Sequence, residues 1–237
     1  MAEQPQRAQA PDFELRFELP GGGGALFTTR AHGNLSTQRG EQPRHGRRER
    51  ERLGEALGLR WLCASRQVHG SVVQRVRAQA GSGGEAVAID ADGHATALRG
   101  VGAMVLVADC LPVVLGAGGA VAALHAGWRG LAGGVLEEGV RALRELGGEG
   151  EIKAVVGPGA GPCCYEVGEE VHAVFGGARR VGVANIDLPA LAEDRLLAAG
   201  VGRVERVGIC TICDERLFSH RREGERAGRQ AGVAWLA

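Results

Sequence analysis

The apolar stretch from Val101 to Ala126 narrows the possible folds more than any other part of this chain. A bilayer-spanning helix needs about 20 apolar residues, and this stretch is long enough. However, Asp109 and His125 interrupt it, and Pro112 and a glycine cluster at Gly116, Gly118 and Gly119 break it further. A charge in hydrocarbon and a proline in mid-helix are both costly, so the stretch is not expected to cross a membrane. It divides instead into Ala103–Ala108, Pro112–Leu115 and Ala120–Leu124, three short apolar runs joined by glycine-rich turns. Such runs read as strands buried on both faces.

The flanking sequence alternates strand and helix patterns. Phe13 to Leu19 alternates apolar and polar residues as a half-buried strand does, Gly21 to Gly24 is a turn, and Ala25 to Thr29 completes a hairpin. The Arg- and Glu-rich segment Arg39 to Arg52 runs into Leu53, Ala56 and Leu57 and reads in its second half as a helix with a solvated face. Leu59 to Ser65, Val72 to Val76 and Val87 to Ile89 read as strands. Leu131 to Leu146 carries apolar residues at helical spacing and ends at Gly147-Gly148. Ile152 to Val156 is a strand, followed by the Gly157 to Cys164 loop, and Val167 to Phe175 is a short helix. Leu188 to Ala199 is a helix capped by Asp187, and Val201 to Ile209 is a strand. Several strands adjoin without an intervening helix, which places the chain in the α+β class. At 237 residues, 44% apolar and without a Pro/Ser linker, it is expected to form a single domain over 13–237, with residues 1–12 a disordered tail.

Composition removes further classes. The 28 cationic residues balance 28 acidic ones, whereas nucleic-acid-binding domains are typically basic with pI above about 9, so no nucleic-acid polymer is expected as partner. Every cation but Lys153 is arginine, a residue suited to bidentate phosphate or carboxylate binding. Met1 to Pro11 has no apolar segment of the signal-peptide kind, so a cytoplasmic protein with its six cysteines reduced is expected. Glycine occupies 40 of the 237 positions, well above the usual share of roughly 7%.

Three residues at strand ends beside glycine carry potential chemistry: His69 in Gln-Val-His-Gly, Cys110 in Ala-Asp-Cys-Leu-Pro, and His125 in His-Ala-Gly-Trp-Arg-Gly. An up-and-down strand pair would return His125 to Cys110, and two imidazoles with one thiolate suit Zn²⁺ with a fourth position open. Spacing alone equally allows a structural cysteine and two ordinary histidines. Cys210-Thr211-Ile212-Cys213 could join Cys163-Cys164 in a four-thiolate site, although adjacent cysteines space ligands poorly; small buried hydrophobes are the other reading.

The runs Arg66–Gly70, Ala108–Val113, His125–Gly130, Gly157–Gly168 and Phe218–Gly224 together resemble the motifs of the laccase-domain family, called polyphenol oxidoreductase and later purine nucleoside phosphorylase. The match extends in order over almost everything after residue 12. The resemblance implies a layered αββα domain with mixed sheets and a zinc held by His69, Cys110 and His125. It also implies phosphorolysis of purine nucleosides or deamination of adenosine, with copper-dependent phenol oxidation claimed as well. The chain departs from the pattern after Thr28-Thr29-Arg30, where Ala31–Ser36 replaces a longer segment, and at His220, where tyrosine is usual.

Deamination needs a hydroxide at the purine C6, and zinc lowers the pKa of its water from about 15.7 to about 7. Asp109, beside Cys110, could shuttle the proton or hold His125 or His69 in one tautomer. Phosphorolysis needs an anion site; Arg129, Arg30 and Arg66 offer guanidinium forks and the loop around Gly159 offers backbone amides. Seven histidines, no two within two residues of each other, do not make a multicopper cluster, so any copper would be a single ion in the zinc site. A copper polyphenol oxidase and a cysteine hydrolase using Cys110 with His125 as base remain as alternatives.

Overall fold

The computed structural model describes residues 15–40, 43–77 and 90–237. Among these the elements run, in chain order, β1 (Leu15–Leu19), β2 (Gly23–Phe27), α1 (Gly46–Ala56), β3 (Trp61–Cys63), β4 (Val73–Val76), β5 (Gly93–Thr96), β6 (Val101–Val107), β7 (Leu111–Gly118) and β8 (Ala120–Ala126). They continue α2 (Trp128–Ala132), α3 (Val135–Glu145), β9 (Glu149–Val156), α4 (Glu169–Val174), β10 (Arg180–Val181), β11 (Asn185–Ile186), α5 (Leu188–Ala198), β12 (Arg203–Arg206), α6 (His220–Glu223) and β13 (Gln230–Leu236).

Two mixed sheets carry the domain, in the orders β1-β2-β13-β6-β3 and β12-β9-β7-β8-β5-β4. The side-chain period of two sorts each strand between layers. Ala25, Phe27, Ala103 and Val105 of the first sheet meet Val114, Val121, Ala123 and Val155 of the second. The opposite face of the second sheet, with Leu111, Val113, Leu115 and Leu124, is covered by Leu136 and Leu143 of α3 and Leu191 of α5. Leu26, Met104, Val233 and Trp235 of the first sheet pack against Leu53 of α1. The result is a single α+β domain with helix, sheet, sheet and helix in succession. No helix among the described residues is long and apolar enough to cross a membrane.

The central runs become β6, β7 and β8, and Asp187 caps α5 by accepting the Ala190 N–H at 3.0 Å. Two expectations need correction. Leu131–Leu146 is two helices, because Gly134 sits at φ 88° and breaks the i→i−4 ladder between α2 and α3. The strand expected at Val201–Ile209 shortens to β12. The strand expected at Val87–Ile89, like Phe13 and the tail 1–12, lies outside the described residues; β5 begins just after Asp92. Strand β13, between β2 and β6, has no counterpart in the sequence reading, although Ala231, Val233 and Trp235 alternate toward α1.

His94 on β5 is wholly buried, with Nε2 2.9 Å from Ser65 Oγ. Burial pushes its pKa from 6.5 down to about 4. The unfolded chain therefore binds a proton that the folded protein refuses between those values, and stability falls as pH falls through the window. The expected loss is about 2–3 kcal/mol between pH 7.5 and pH 4.5. Urea denaturation across that range should show this slope, and His94→Gln should flatten it; an unchanged slope would mean the ring is not neutral-locked.

Candidate metal centre

The β7–β8 hairpin builds the first half of the site. Its register pairs Leu111 with Ala126 and Pro112 with His125, so Cys110, just ahead of β7, lands beside His125 and Gly127. His69 comes from the loop between β3 and β4, where it sits at φ 61°. Two side chains hold that loop between the sheets. Gln67 pairs with the backbone of Leu106 on β6, donating through Nε2 to its carbonyl and accepting its N–H, both at 2.7 Å. Asp92, wholly buried before β5, accepts the N–H groups of Val68 (3.1 Å), His69 (2.9 Å) and Gly70 (2.7 Å).

Asp92 also reaches His125. Its Oδ1 lies 2.7 Å from His125 Nδ1, and its carbonyl accepts the His125 N–H, also at 2.7 Å. When the ring is neutral its Nδ1 proton is committed to this carboxylate, and Nε2 then presents its lone pair to the site. Burial alone would raise the Asp92 carboxyl, but the His125 ring and the Gly70 and Val68 amides more than offset it and hold it below the usual carboxylate range.

His69, Cys110 and His125 converge with their ligand atoms all within 4.8 Å of one another. Cys110 Sγ is 3.8 Å from His69 Nε2, and the two imidazoles stand edge to face with centroids 4.8 Å apart. Ligands around one tetrahedral zinc lie about 3.3–3.8 Å apart, given bonds of about 2.0–2.3 Å, so the trio needs only a small contraction to hold an ion. A glycine clears the space: a Cβ at Gly127 would stand 3.0 Å from both Cys110 Sγ and His69 Cδ2. Burial pushes the Cys110 thiol up, but His125 and His69 outweigh it and bring it down to about 6. Burial likewise lowers His125, yet the Cys110 thiolate and Asp92 carry it to about 9. The thiol is thus poised as the thiolate that a metal requires. His69 is exposed while His125 is buried, so the centre opens to solvent on the His69 side.

The other expected site residues are placed less uniformly. Asp109, at φ 85°, accepts from Thr211 Oγ1 at 2.7 Å and from the Arg221 N–H at 2.6 Å. It does not hold either histidine; Asp92 has that role. Arg129 stacks over Trp128 at 4.3 Å in the first turn of α2 and makes no ion pair among the described residues. Arg30 is drawn away, stacked on Phe218 at 4.4 Å and ion-paired to Glu223. Arg66 forms a two-pronged pair with Asp90 at 2.6 and 2.7 Å. The Gly159 loop has no spare amides of the kind expected: Gly157, Gly159 and Ala160 donate to the carbonyls of Pro112, Ile209 and Asp109, and Gly161 donates to Cys210 Sγ. Asp92 was missed because its partners lie 22 to 33 residues away; the available signal was an aspartate directly before a strand that pairs with the strand bearing His125.

A mixed αββα domain in which two loops and a strand end bring a His–Cys–His group together defines a protein with a site that could hold a metal ion. Residues 22–237 match the family described as multi-copper polyphenol oxidoreductase laccase, and the chain belongs to that family. Among curated proteins it is 43% identical to a purine nucleoside phosphorylase of Xylella fastidiosa over 92% of this chain and 88% of that one. It is also 37% identical to one from Corynebacterium glutamicum, over 89% and 93% of the two chains. Among solved structures, protein NMB0706 of Neisseria meningitidis superposes with a TM-score of 0.80 at 33% identity, covering 94% of this chain and 98% of that one. YlmD of Geobacillus stearothermophilus gives 0.78 at 30% identity, over 99% and 98%.

Proposed function

We propose that the protein is a zinc-dependent purine nucleoside enzyme of the cytoplasm, cleaving adenosine- or inosine-type nucleosides with phosphate and deaminating adenosine at the same centre. The observation that carries this is the convergence of His69, Cys110 and His125, with Asp92 on the outer nitrogen of His125. The names of the relatives support the reaction class.

The donor set favours zinc over a copper cluster. His32, His94, His172 and His220 are engaged with Thr29, Ser65, Ala184 and Gly224, His45 is exposed ahead of α1, and among the described residues the histidine pair in ring contact is His69 and His125. Bound by His69, Cys110 and His125, zinc supplies a Lewis acid that stabilises developing negative charge on oxygen. The chain does the rest. Asp92 holds the His125 tautomer, and the lack of a side chain at Gly127 lets Cys110 and His69 converge against the backbone. Arg129, unpaired by any carboxylate among the described residues, is the guanidinium assigned to phosphate; Arg30 and Arg66 would first have to leave Glu223 and Asp90. In phosphorolysis a phosphate oxygen bonds to the ribose C1′ as the glycosidic C–N bond breaks, and the purine leaves with the electron pair and takes up a proton. In deamination Asp109 is the proposed proton shuttle, using the lone pairs that Thr211 and Arg221 leave open.

Adenosine and phosphate with purified enzyme should yield adenine and ribose 1-phosphate from cleavage, inosine from deamination, or hypoxanthine from both in series. Arg129→Ala should raise KM for phosphate about tenfold or more, as expected for loss of a charge-assisted contact. No product from any purine nucleoside would overturn the reading. Full activity without metal, abolished by thiol alkylation, would replace it with a cysteine hydrolase built on Cys110 and His125.

A further inference from the structure

The sulfurs of Cys163, Cys164, Cys210 and Cys213 also lie within 4.8 Å of one another, in a cluster separate from the His–Cys–His centre. We propose that these four cysteines bind a second zinc ion, a structural one, that ties the loop after β9 to the turn after β12. Cys163 Sγ and Cys164 Sγ are 3.6 and 3.0 Å from Cys213 Sγ. The edge of a tetrahedral zinc–thiolate site, with bonds of about 2.3 Å, is about 3.8 Å, and a four-sulfur tetrahedron is the zinc-type donor set.

The chain is folded so that adjacent cysteines both reach the cluster. Cys164 and Tyr165 N–H groups both donate to the Gly161 carbonyl, at 3.1 and 2.9 Å, and this tight turn throws both thiols to one side. Gly161 lines the cluster: a Cβ there would lie 3.5 Å from the sulfurs of both Cys163 and Cys210. Its N–H donates to Cys210 Sγ at 3.3 Å, the kind of amide contact that stabilises a thiolate. The Cys210–Cys213 turn is itself clamped, with Arg222 Nη1 donating to the carbonyls of Thr211 at 2.6 Å and Ile212 at 2.9 Å. Cys163 and Cys213 are exposed, so a metal has a path in. All four are free cysteines in this structure. On binding, each thiol loses its proton to solvent as its S–Zn bond forms.

The second ion would brace the first centre. Thr211, inside the Cys210–Cys213 turn, donates to Asp109, whose next residue is Cys110. The ion thereby fixes the wall that positions the catalytic thiolate.

Elemental analysis of the full chain should find about two zinc ions per molecule. Cys110→Ala should retain about one, and its cobalt-substituted form should show the intense sulfur-to-metal charge-transfer absorption of a four-thiolate site. Cys213→Ser should lower the zinc content by about one while leaving the His69-centred ion. Thiols of the native metal-replete protein should resist an aromatic disulfide reagent until a chelator is added. The proposal is overturned if wild type carries one zinc and Cys110→Ala carries none. It is equally overturned if the four thiols react at once in native protein, or if the unreduced chain is lighter by the four hydrogens of two disulfides. Loss of nucleoside turnover in Cys110→Ala with one zinc retained would count for this site independently of the reaction assigned to the first.

Discussion

Replacing Cys110 by alanine should abolish nucleoside turnover and empty the His69–His125 centre. Four-ligand zinc sites bind with about 10–16 kcal/mol, so one thiolate is worth roughly 3 kcal/mol and its loss roughly 10²- to 10³-fold in metal affinity. Activity should fall at least as far, since the same side chain sets both the metal and the charge facing His125. Cys110→Ser should do little better, because a hydroxyl stays protonated at the pH where this thiol, at about 6, is already ionised. Cys63→Ala is the control: that thiol is buried on β3, is pushed up to about 12 by burial, and belongs to neither cluster. Chelator competition and turnover measured on the three variants check the prediction. A fully active, metal-replete Cys110→Ala protein would sink it.

How much of this could be read in the sequence follows from how local each contact is. Cys110 and His125 were legible as a pair because an antiparallel hairpin, β7–β8, joins them, and the apolar runs with glycine turns announce a hairpin. His69 announced itself only through its motif, since the loop that carries it is held by Gln67 and Asp92 from other strands. Asp92 was illegible for that reason: nothing within ten residues shows that its carboxylate serves an imidazole on β8. Asp109 looked like the better partner simply by adjacency, but the backbone at φ 85° turns its carboxylate toward Thr211 and Arg221. The cysteine cluster was half legible. Its two pairs are separated by about fifty residues, and the parallel β9–β12 pairing, extended by the Gly159–Cys210 bridge, brings them together. Sequence spacing does not report a parallel pairing. Strand β13 was missed because an Ala- and Gly-rich run in a chain with 40 glycines gives a faint period-two signal, though this strand occupies the middle of a sheet.

Asp92→Asn should lower metal affinity about 10- to 100-fold at neutral pH, the usual scale for the residue behind a metal-bound histidine, and turnover should fall with it. The substitution keeps size and most packing, but one side of the new amide is a donor. Oδ1 of Asp92 serves both His125 Nδ1 and the His69 N–H, while Oδ2 serves Val68 and Gly70. The asparagine carbonyl can keep the Val68 and Gly70 amides, which leaves its NH₂ facing His125 Nδ1 and the His69 N–H. The imidazole must then place its proton on Nε2, where the lone pair for the metal should be, and the His69 amide faces a donor. The first effect costs metal affinity; the second costs about 1–3 kcal/mol of stability, as for any buried polar group left unpaired. The two separate experimentally. Chelator competition reads the tautomer effect, and chemical denaturation of metal-free protein reads the loop effect. Asp92→Ala should be the more destabilised variant, because it also strands the Val68 and Gly70 amides. If Asp92→Asn loses stability but keeps wild-type metal affinity, Asp92 anchors the His69 loop alone and His125 takes its tautomer from elsewhere.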